Sequence, residues 1–365
     1  MMWYRPENEA SVFTPAILLF PDRIEENIRR MIALCGDAGR LRPHVKTHKI
    51  AEIIHLQIQL GINRFKCATL SEAEMVASGG GHDVLLAYPL LGPSIPYYLQ
   101  LGTRFPDTRF SATVDSPEAC RQWSEQARIS EKKVRLFVDL DNGMHRTGMA
   151  PDRALELIET ILEDPWLKLA GLHIYDGHIH ERDFEKRKER CESDFEPVLR
   201  LVRVLEEKGI TVEELACGGT PTFPIHARHA SRTLCPGTPV LWDAGYAEAL
   251  PDLDFLPAAV ITGRVVSRPG QQLCLDLGHK SIASEMPHPR LQFLNLSHHG
   301  VLNHSEEHLV LSQAGEDPAS LGDLVYALPT HICPTMALHA QVYVVRDQLV
   351  VDVWKVEARN RVYKP

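Results

Sequence analysis

No run of about 18 apolar residues occurs in the chain, so no segment reads as a membrane-spanning helix. Positive charge is not in excess either. The 365 residues carry 39 Lys and Arg against 48 Asp and Glu, a formal net charge of -9, and the basic stripe of a nucleic-acid surface is missing. The eight cysteines are scattered without a Cys-x-x-Cys pair and read as free thiols of a reducing compartment. The opening Met1-Met2-Trp3-Tyr4-Arg5-Pro6 lacks the basic-then-apolar plan of a secretion signal, which gives a cytoplasmic protein as the expectation. Low-complexity segments and short-period repeats are also absent. What remains is one large globular domain or two, with 44% apolar residues to fill the core.

Against these absences one lysine stands out. Arg42-Pro43-His44-Val45-Lys46-Thr47-His48-Lys49 runs into a helical pattern with apolar residues at 50, 53, 54 and 58 and a closing Gly61. On an extended strand His44, Lys46 and His48 share one side. Lys46 is then expected at the C-terminal end of a strand, the edge where parallel α/β folds gather their active sites. A solvated basic patch at a helix start is the competing reading. Two flanking imidazoles favour a nucleophilic amine with a lowered pKa.

The strand-then-helix unit repeats. Strands are expected from Leu41 onward, at 64–69, 83–88, 109–114, 134–141, 169–175, 214–217 and 240–243, with helices between most of them. Eight such units predict an α/β fold with a (β/α)8 TIM-type barrel over 15–250. After Pro251 the helical period fades, and strands at 258–266, 272–277, 308–311, 323–328, 340–346 and 349–356 predict a separate β domain at 251–365.

Four further motifs carry chemistry. Asp139-Leu140-Asp141-Asn142-Gly143-Met144-His145-Arg146-Thr147-Gly148 follows the fifth strand and offers Arg146 to an anionic oxygen, unless it is an ordinary surface loop. Gly218-Gly219-Thr220 follows the seventh strand, where barrels commonly cradle a phosphate on backbone N–H groups. Tyr175-Asp176-Gly177-His178-Ile179-His180 ends the sixth; Tyr175 is expected to face a substrate, with His178 or His180 as acid or base. The same His-x-His also fits an amidohydrolase metal pair or a plain polar loop. Finally, His331-Ile332-Cys333 on an extended segment points an imidazole and a thiolate the same way, a pair that suits Zn²⁺ if water and substrate complete the shell.

Thr14-Pro15-Ala16, the octet around Lys46, Gly143-Met144-His145-Arg146-Thr147-Gly148, Gly218-Gly219-Thr220 and His331-Ile332-Cys333 occur in that order over nearly the whole chain. Together they resemble the D-threonine aldolase / D-serine dehydratase family, pyridoxal-phosphate enzymes of the alanine-racemase-like fold. The resemblance implies a β domain that also recruits residues 1–14, and a homodimer. It implies pyridoxal 5'-phosphate held covalently by Lys46, Arg146 at the cofactor's phenolic oxygen, and Gly218, Gly219 and Thr220 at its phosphate. We expect His44 and Asp243 among the other cofactor contacts and Tyr175 near the substrate. A divalent metal (Zn, Mn or Mg) at His331 and Cys333 would take the β-hydroxyl of a small D-amino acid. Two outcomes share such a scaffold: retro-aldol cleavage to glycine and an aldehyde, or dehydration of D-serine or D-hydroxyaspartate. The first stands slightly ahead of the second. A racemase, a non-catalytic pyridoxal-phosphate carrier and an amidohydrolase are more distant alternatives.

Overall fold

The computed structural model describes residues 2–296, 300–312 and 319–363. In chain order, β1 (Ala16–Leu19) and α1 (Pro21–Cys35) precede α2 (Ala51–Gln59). Paired elements follow: β2 (Arg64–Cys67) and α3 (Leu70–Ser78), β3 (Asp83–Leu86) and α4 (Ser94–Arg104), β4 (Arg109–Val114) and α5 (Pro117–Ile129). Next come β5 (Val134–Leu140) and α6 (Ala154–Glu163), β6 (Leu167–Ile174) and α7 (Phe184–Glu207), β7 (Leu215–Cys217) and α8 (Phe223–His226), β8 (Arg232–Leu234) and α9 (Ala244–Ala249). The remaining strands are β9 (Ala259–Ser267), β10 (Gln272–Leu275), β11 (Leu291–Phe293), β12 (Val301–His304), β13 (Leu309–Ser312) and β14 (Leu324–Pro329). After α10 (Ile332–Leu338), β15 (Gln341–Arg346) and β16 (Leu349–Lys355) form the closing hairpin. Contacts divide the chain into one unit of Met1–Arg30, Thr47–Ile53 and Thr238–Asn360, and another of Met31–Lys46, Ile54–Gly237 and Arg361–Pro365.

The second unit is the barrel. Strands β2 to β8 lie side by side in sequence order, all parallel. The ring is closed by 41–44, which is too short and bent to be a full strand. Leu41 bridges Leu234 and His44 bridges Lys66, and the Lys66 amide donates to the Pro43 carbonyl at 2.9 Å. The eighth strand expected at 240–243 is corrected to Arg232–Leu234. Thr238–Val240 is a 3-10 turn, and Trp242 sits at φ 49, outside the range of any strand. The apolar Val240-Leu241-Trp242 triplet mimics a buried strand, whereas the true one opens on an arginine.

Leu85, Phe137, Ala170, Ala216 and Cys235 pack inside the barrel. Its lower end is plugged by Arg42, fully buried, which pairs with Asp83 at 2.8 Å and with Glu214 at 2.7 Å. Near the middle of β6 the register against β5 slips: Leu136 pairs with Leu169 but Phe137 pairs with Gly171. Ala170 is therefore an extra residue. It resets the alternation so that His173 falls beside the inward Asp139 and not on the helix-covered face. Gly171 is obligatory at this step, because a Cβ there would lie 2.3 Å from the Glu214 carbonyl.

The first unit holds a nine-stranded sheet, whose main path is β12-β13-β10-β9-β1-β15-β16, with β14 pairing to both β9 and β11. β1 lies between β9, antiparallel, and β15, parallel. Dividing the sequence at 14/15 gives β1 to the barrel; its ladder belongs to this sheet. All four β1 residues are buried, so the strand shows no alternation that would reveal which sheet it joins. Tyr4, Val12, Leu18, Phe20, Val260, Tyr326 and Val345 form the core beneath it.

Candidate active site

Lys46 follows the closing segment of the barrel, but not on an extended strand. Val45–Thr47 is a 3-10 turn and Lys49 has φ 56, so the expected alternation of His44, Lys46 and His48 is broken. The turn is held by His44, whose Nδ1 accepts the Lys46 backbone amide at 3.3 Å. The half-buried Lys46 side chain brings its amine 5.7 Å from the centre of the Tyr175 ring.

Tyr175, one residue beyond β6, is the hub of the barrel mouth. The Arg146 guanidinium carbon lies 5.2 Å from its ring centre, and the Lys66 amine 5.3 Å. Arg146 is delivered by a loop folded on Asp141. That carboxylate accepts the amides of Gly143 at 2.9 Å and His145 at 3.0 Å, an arrangement typical of Asx turns. Thr147 anchors the far side of the loop by donating to Asp139 at 3.0 Å.

The glycine loop lies against the same ring: a Cβ on Gly219 would stand 3.0 Å from a Tyr175 ring carbon. Gly218 has φ 75, and a Cβ there would come 2.6 Å from the His226 ring and 2.8 Å from Thr222 Oγ1. Thr220 Oγ1 accepts the Gly237 amide at 3.4 Å, which ties this loop to the one after β8.

The two histidines of the 178–180 loop part company. His178 is half-buried and its Nε2 lies 2.8 Å from Asp194, while His180 is exposed. The histidine that enters the barrel is His173, which the motif reading passed over. Its Nδ1 is 2.6 Å from Asp139, and burial, helped by Lys66, holds its pKa below the usual imidazole value.

Behind Tyr175 lies a fully buried chain of polar groups. Arg232 donates to His226 Nδ1 at 2.8 Å, His226 Nε2 meets Asp176 at 2.7 Å, and Thr222 donates to Asp176 at 2.7 Å. Thr222 in turn accepts the Gly219 amide at 3.3 Å. Ligand-type atoms of Asp176, Cys191 and His226 all lie within 4.8 Å of one another, close enough to share an ion. The protons argue otherwise. An arginine donating to Nδ1 leaves the ring proton on Nε2, where a metal would need a lone pair. Burial also drives the Cys191 thiol well above its ordinary value. The cluster is a hydrogen-bond network holding the glycine loop.

The other unit carries the remaining candidates. His331 is the N-cap of α10 and Cys333 lies in its first turn, so the segment is not extended as the spacing argument assumed. At this helix start Cys333 still acts on the His331 imidazole, favouring its charged form. His331 Nδ1 is 2.7 Å from Glu285, which fixes the ring and leaves Nε2 for a metal. Burial lowers the His331 pKa, but Cys333 and Glu285 outweigh it and raise it to about 9. Asp243 caps α9 through the Tyr246 amide at 2.9 Å and accepts the Ile332 amide at 3.0 Å. These are the partners of a cap and a loop anchor, and they position the His-x-Cys segment.

Residues 21–240 match the family described as alanine racemase, N-terminal domain, more than half of the chain. The chain belongs to that family. Residues 258–345 match a second model, the putative serine dehydratase domain. Among characterised relatives, a D-threonine aldolase of Arthrobacter sp is 29% identical over 96% of this chain and 94% of its own. A D-threo-3-hydroxyaspartate dehydratase of Delftia sp. (strain HT23) is 30% identical over 57% of this chain and 56% of its own. The crystal structure of the D-threonine aldolase from Filomicrobium marinum superposes with a TM-score of 0.87 at 29% identity, over 98% of both chains.

Within this alanine-racemase-like barrel, motif reading missed Lys66, His173, Asp139 and Asp176. One signal was available: a lysine in the short strand Arg64-Phe65-Lys66-Cys67, between two apolar neighbours, belongs at a site or at a partner.

Proposed function

We propose that this protein is a pyridoxal-phosphate- and metal-dependent lyase that cleaves a β-hydroxy D-amino acid into glycine and an aldehyde. The observation that supports it most is the gathering of Lys46, Arg146 and Lys66 around Tyr175, with the Gly218-Gly219-Thr220 loop against the same ring. The full-length likeness to D-threonine aldolases supports the same reading.

The residues fit the cofactor. A loop stripped of Cβ atoms suits a phosphate, cationic side chains suit an anionic ring system, and a primary amine at the mouth suits a covalent tether. When bound, pyridoxal phosphate supplies an electron sink for charge at the substrate's Cα. Lys46 would hold it, Arg146 would pair with its phenolic oxygen, and the glycine loop would take its phosphate. His331 and Cys333, with Glu285 behind the imidazole, fit a divalent metal such as Zn²⁺, which would acidify and orient the β-hydroxyl. Tyr175 would bound the substrate, and His178 or His180 would exchange the hydroxyl proton. His178 is the better supported of the two, because Asp194 fixes its ring while His180 points to solvent. A homodimer in the cytoplasm completes the reading.

Dehydration is the second reading, favoured by the putative serine dehydratase domain and by the His331–Cys333 pair. The choice depends on which proton leaves. Loss of the hydroxyl proton splits Cα–Cβ, whereas loss of the Cα proton with the hydroxyl gives a keto acid and ammonia. Incubating the holoprotein with D-threonine and D-serine decides. We expect glycine and acetaldehyde, both abolished in Lys46→Ala; ammonia as sole product would sink the aldolase reading.

A further inference from the structure

Lys66, the third residue of β2, is 2% exposed, and its Nζ has no hydrogen-bond partner among the described residues. Burying an ammonium ion without a counter-charge costs several kcal/mol, on the order of what breaks a buried ion pair. The fold does not call for an amine at this place. Phe65 and Cys67 on either side are buried and apolar, and methionine would fill the same volume without the penalty. An amine kept under these terms needs a negative charge that the chain does not supply.

Its surroundings say where that charge belongs. Lys66 lies 5.3 Å from the centre of the Tyr175 ring, the ring that Lys46 and Arg146 also approach. The groups that act on it are Lys46, Cys235 beyond β8, Asp139 on β5 and Asp176 after β6, with His173 of β6 facing it. Burial pulls its pKa down and Lys46 adds to this, against the thiol and the two carboxyls. Both carboxyls are already engaged: Asp139 takes His173 and Thr147, and Asp176 takes His226 and Thr222.

We propose that Lys66 is a binding residue of the cofactor site, whose amine takes up a proton and pairs with an anionic oxygen of the pyridoxal phosphate on Lys46 or of the amino acid it receives. This rests on the reading of Lys46 given above. The two lysines then divide the labour: Lys46 would tether the cofactor, and Lys66 would gain a proton to neutralise the ligand at a buried position.

The test compares the full-length wild type with Lys66→Met. Calorimetric titration with pyridoxal phosphate, in two buffers of different ionisation enthalpy, counts the protons taken up. The same titration of the holoproteins with glycine, a product that is not turned over, counts them at the second step. We expect the variant to take up about one proton fewer at one of the two steps and to bind that ligand about ten- to a hundredfold more weakly. The step at which the proton goes missing assigns the oxygen to cofactor or amino acid. We also expect the ligand-free variant to melt at a higher temperature than wild type, since the orphaned amine is gone. An unchanged proton count at both steps, with a lowered melting temperature, marks a structural lysine and overturns the proposal. Borohydride reduction and peptide mapping separate the two ideas. Pyridoxal label on Lys46 with unchanged counts sinks only the role of Lys66; absence of label from Lys46 sinks the reading of the site and this proposal with it.

Discussion

Arg232 Nη1 stands 2.8 Å from His226 Nδ1, and the contact fixes which ring nitrogen carries the proton. With the proton on Nε2 and directed at Asp176, the Asp176–Cys191–His226 cluster is closed to metals. Metal should instead follow the His331–Cys333 pair. Elemental analysis of purified protein is expected to show a drop of about tenfold or more in bound metal for His331→Ala and Cys333→Ala. Cys191→Ser should retain wild-type metal; its loss there would reverse the assignment.

Gly218 is held at φ 75 with His226 and Thr222 packed where a side chain would begin. Gly218→Ala should therefore cost about 1–3 kcal/mol by strain and overlap. If the loop carries the cofactor phosphate, its pyridoxal-phosphate affinity should fall with it, by about tenfold or more. Denaturant unfolding and absorbance titration measure the two effects; an unaltered affinity would remove the loop from the cofactor site.

Arg42 plugs the barrel floor by satisfying Asp83 and Glu214 together. Arg42→Leu leaves Asp83 with only the half-exposed Arg109 and Glu214 with only Arg64, at 3.4 Å, and should destabilise the protein by about 2–4 kcal/mol, short of the full cost of two orphaned charges. Activity per folded molecule should stay near wild type, because this network lies at the end of the strands opposite Tyr175. Equilibrium denaturation with activity normalised to folded protein checks both halves.

Burial holds His48 neutral, with its pKa lowered to about 3. The unfolded chain binds that proton near pH 6.5, so stability is full above this value and is lost as the pH falls towards the folded value. Between pH 6.5 and 5 the loss from one such histidine is about 1.6 kcal/mol. His48→Asn keeps an acceptor for the Ile50 amide and cannot titrate, so its stability should fall less over that interval. An identical acid slope in the variant would assign the effect to other groups.

The repeating strand–helix units and the change of character near residue 251 were legible because the periods differ. The last barrel strand was not. It is three residues long and starts with Arg232, while the apolar triplet after Thr238 copies a strand and folds as a turn. Motifs singled out Lys46, Arg146, Tyr175 and the glycine loop, which the structure brings around one ring. They passed over Lys66 and His173, whose setting is made by long-range neighbours that spacing does not encode. The His331–Cys333 reading assumed an extended segment, whereas the structure places the two residues at the N-cap and first turn of a helix.

The extra residue in the sixth strand means that its two faces cannot be read by counting letters. A strict alternation from Leu169 would put His173 on the same outer face; the slip at Ala170 returns it to the lumen beside Asp139. Removing Ala170 would straighten the stave and leave the imidazole facing inward. Losing Leu172 instead would turn it towards the helical jacket. Comparisons that align this stave letter by letter, without the slip, would set its polar residues on the wrong side.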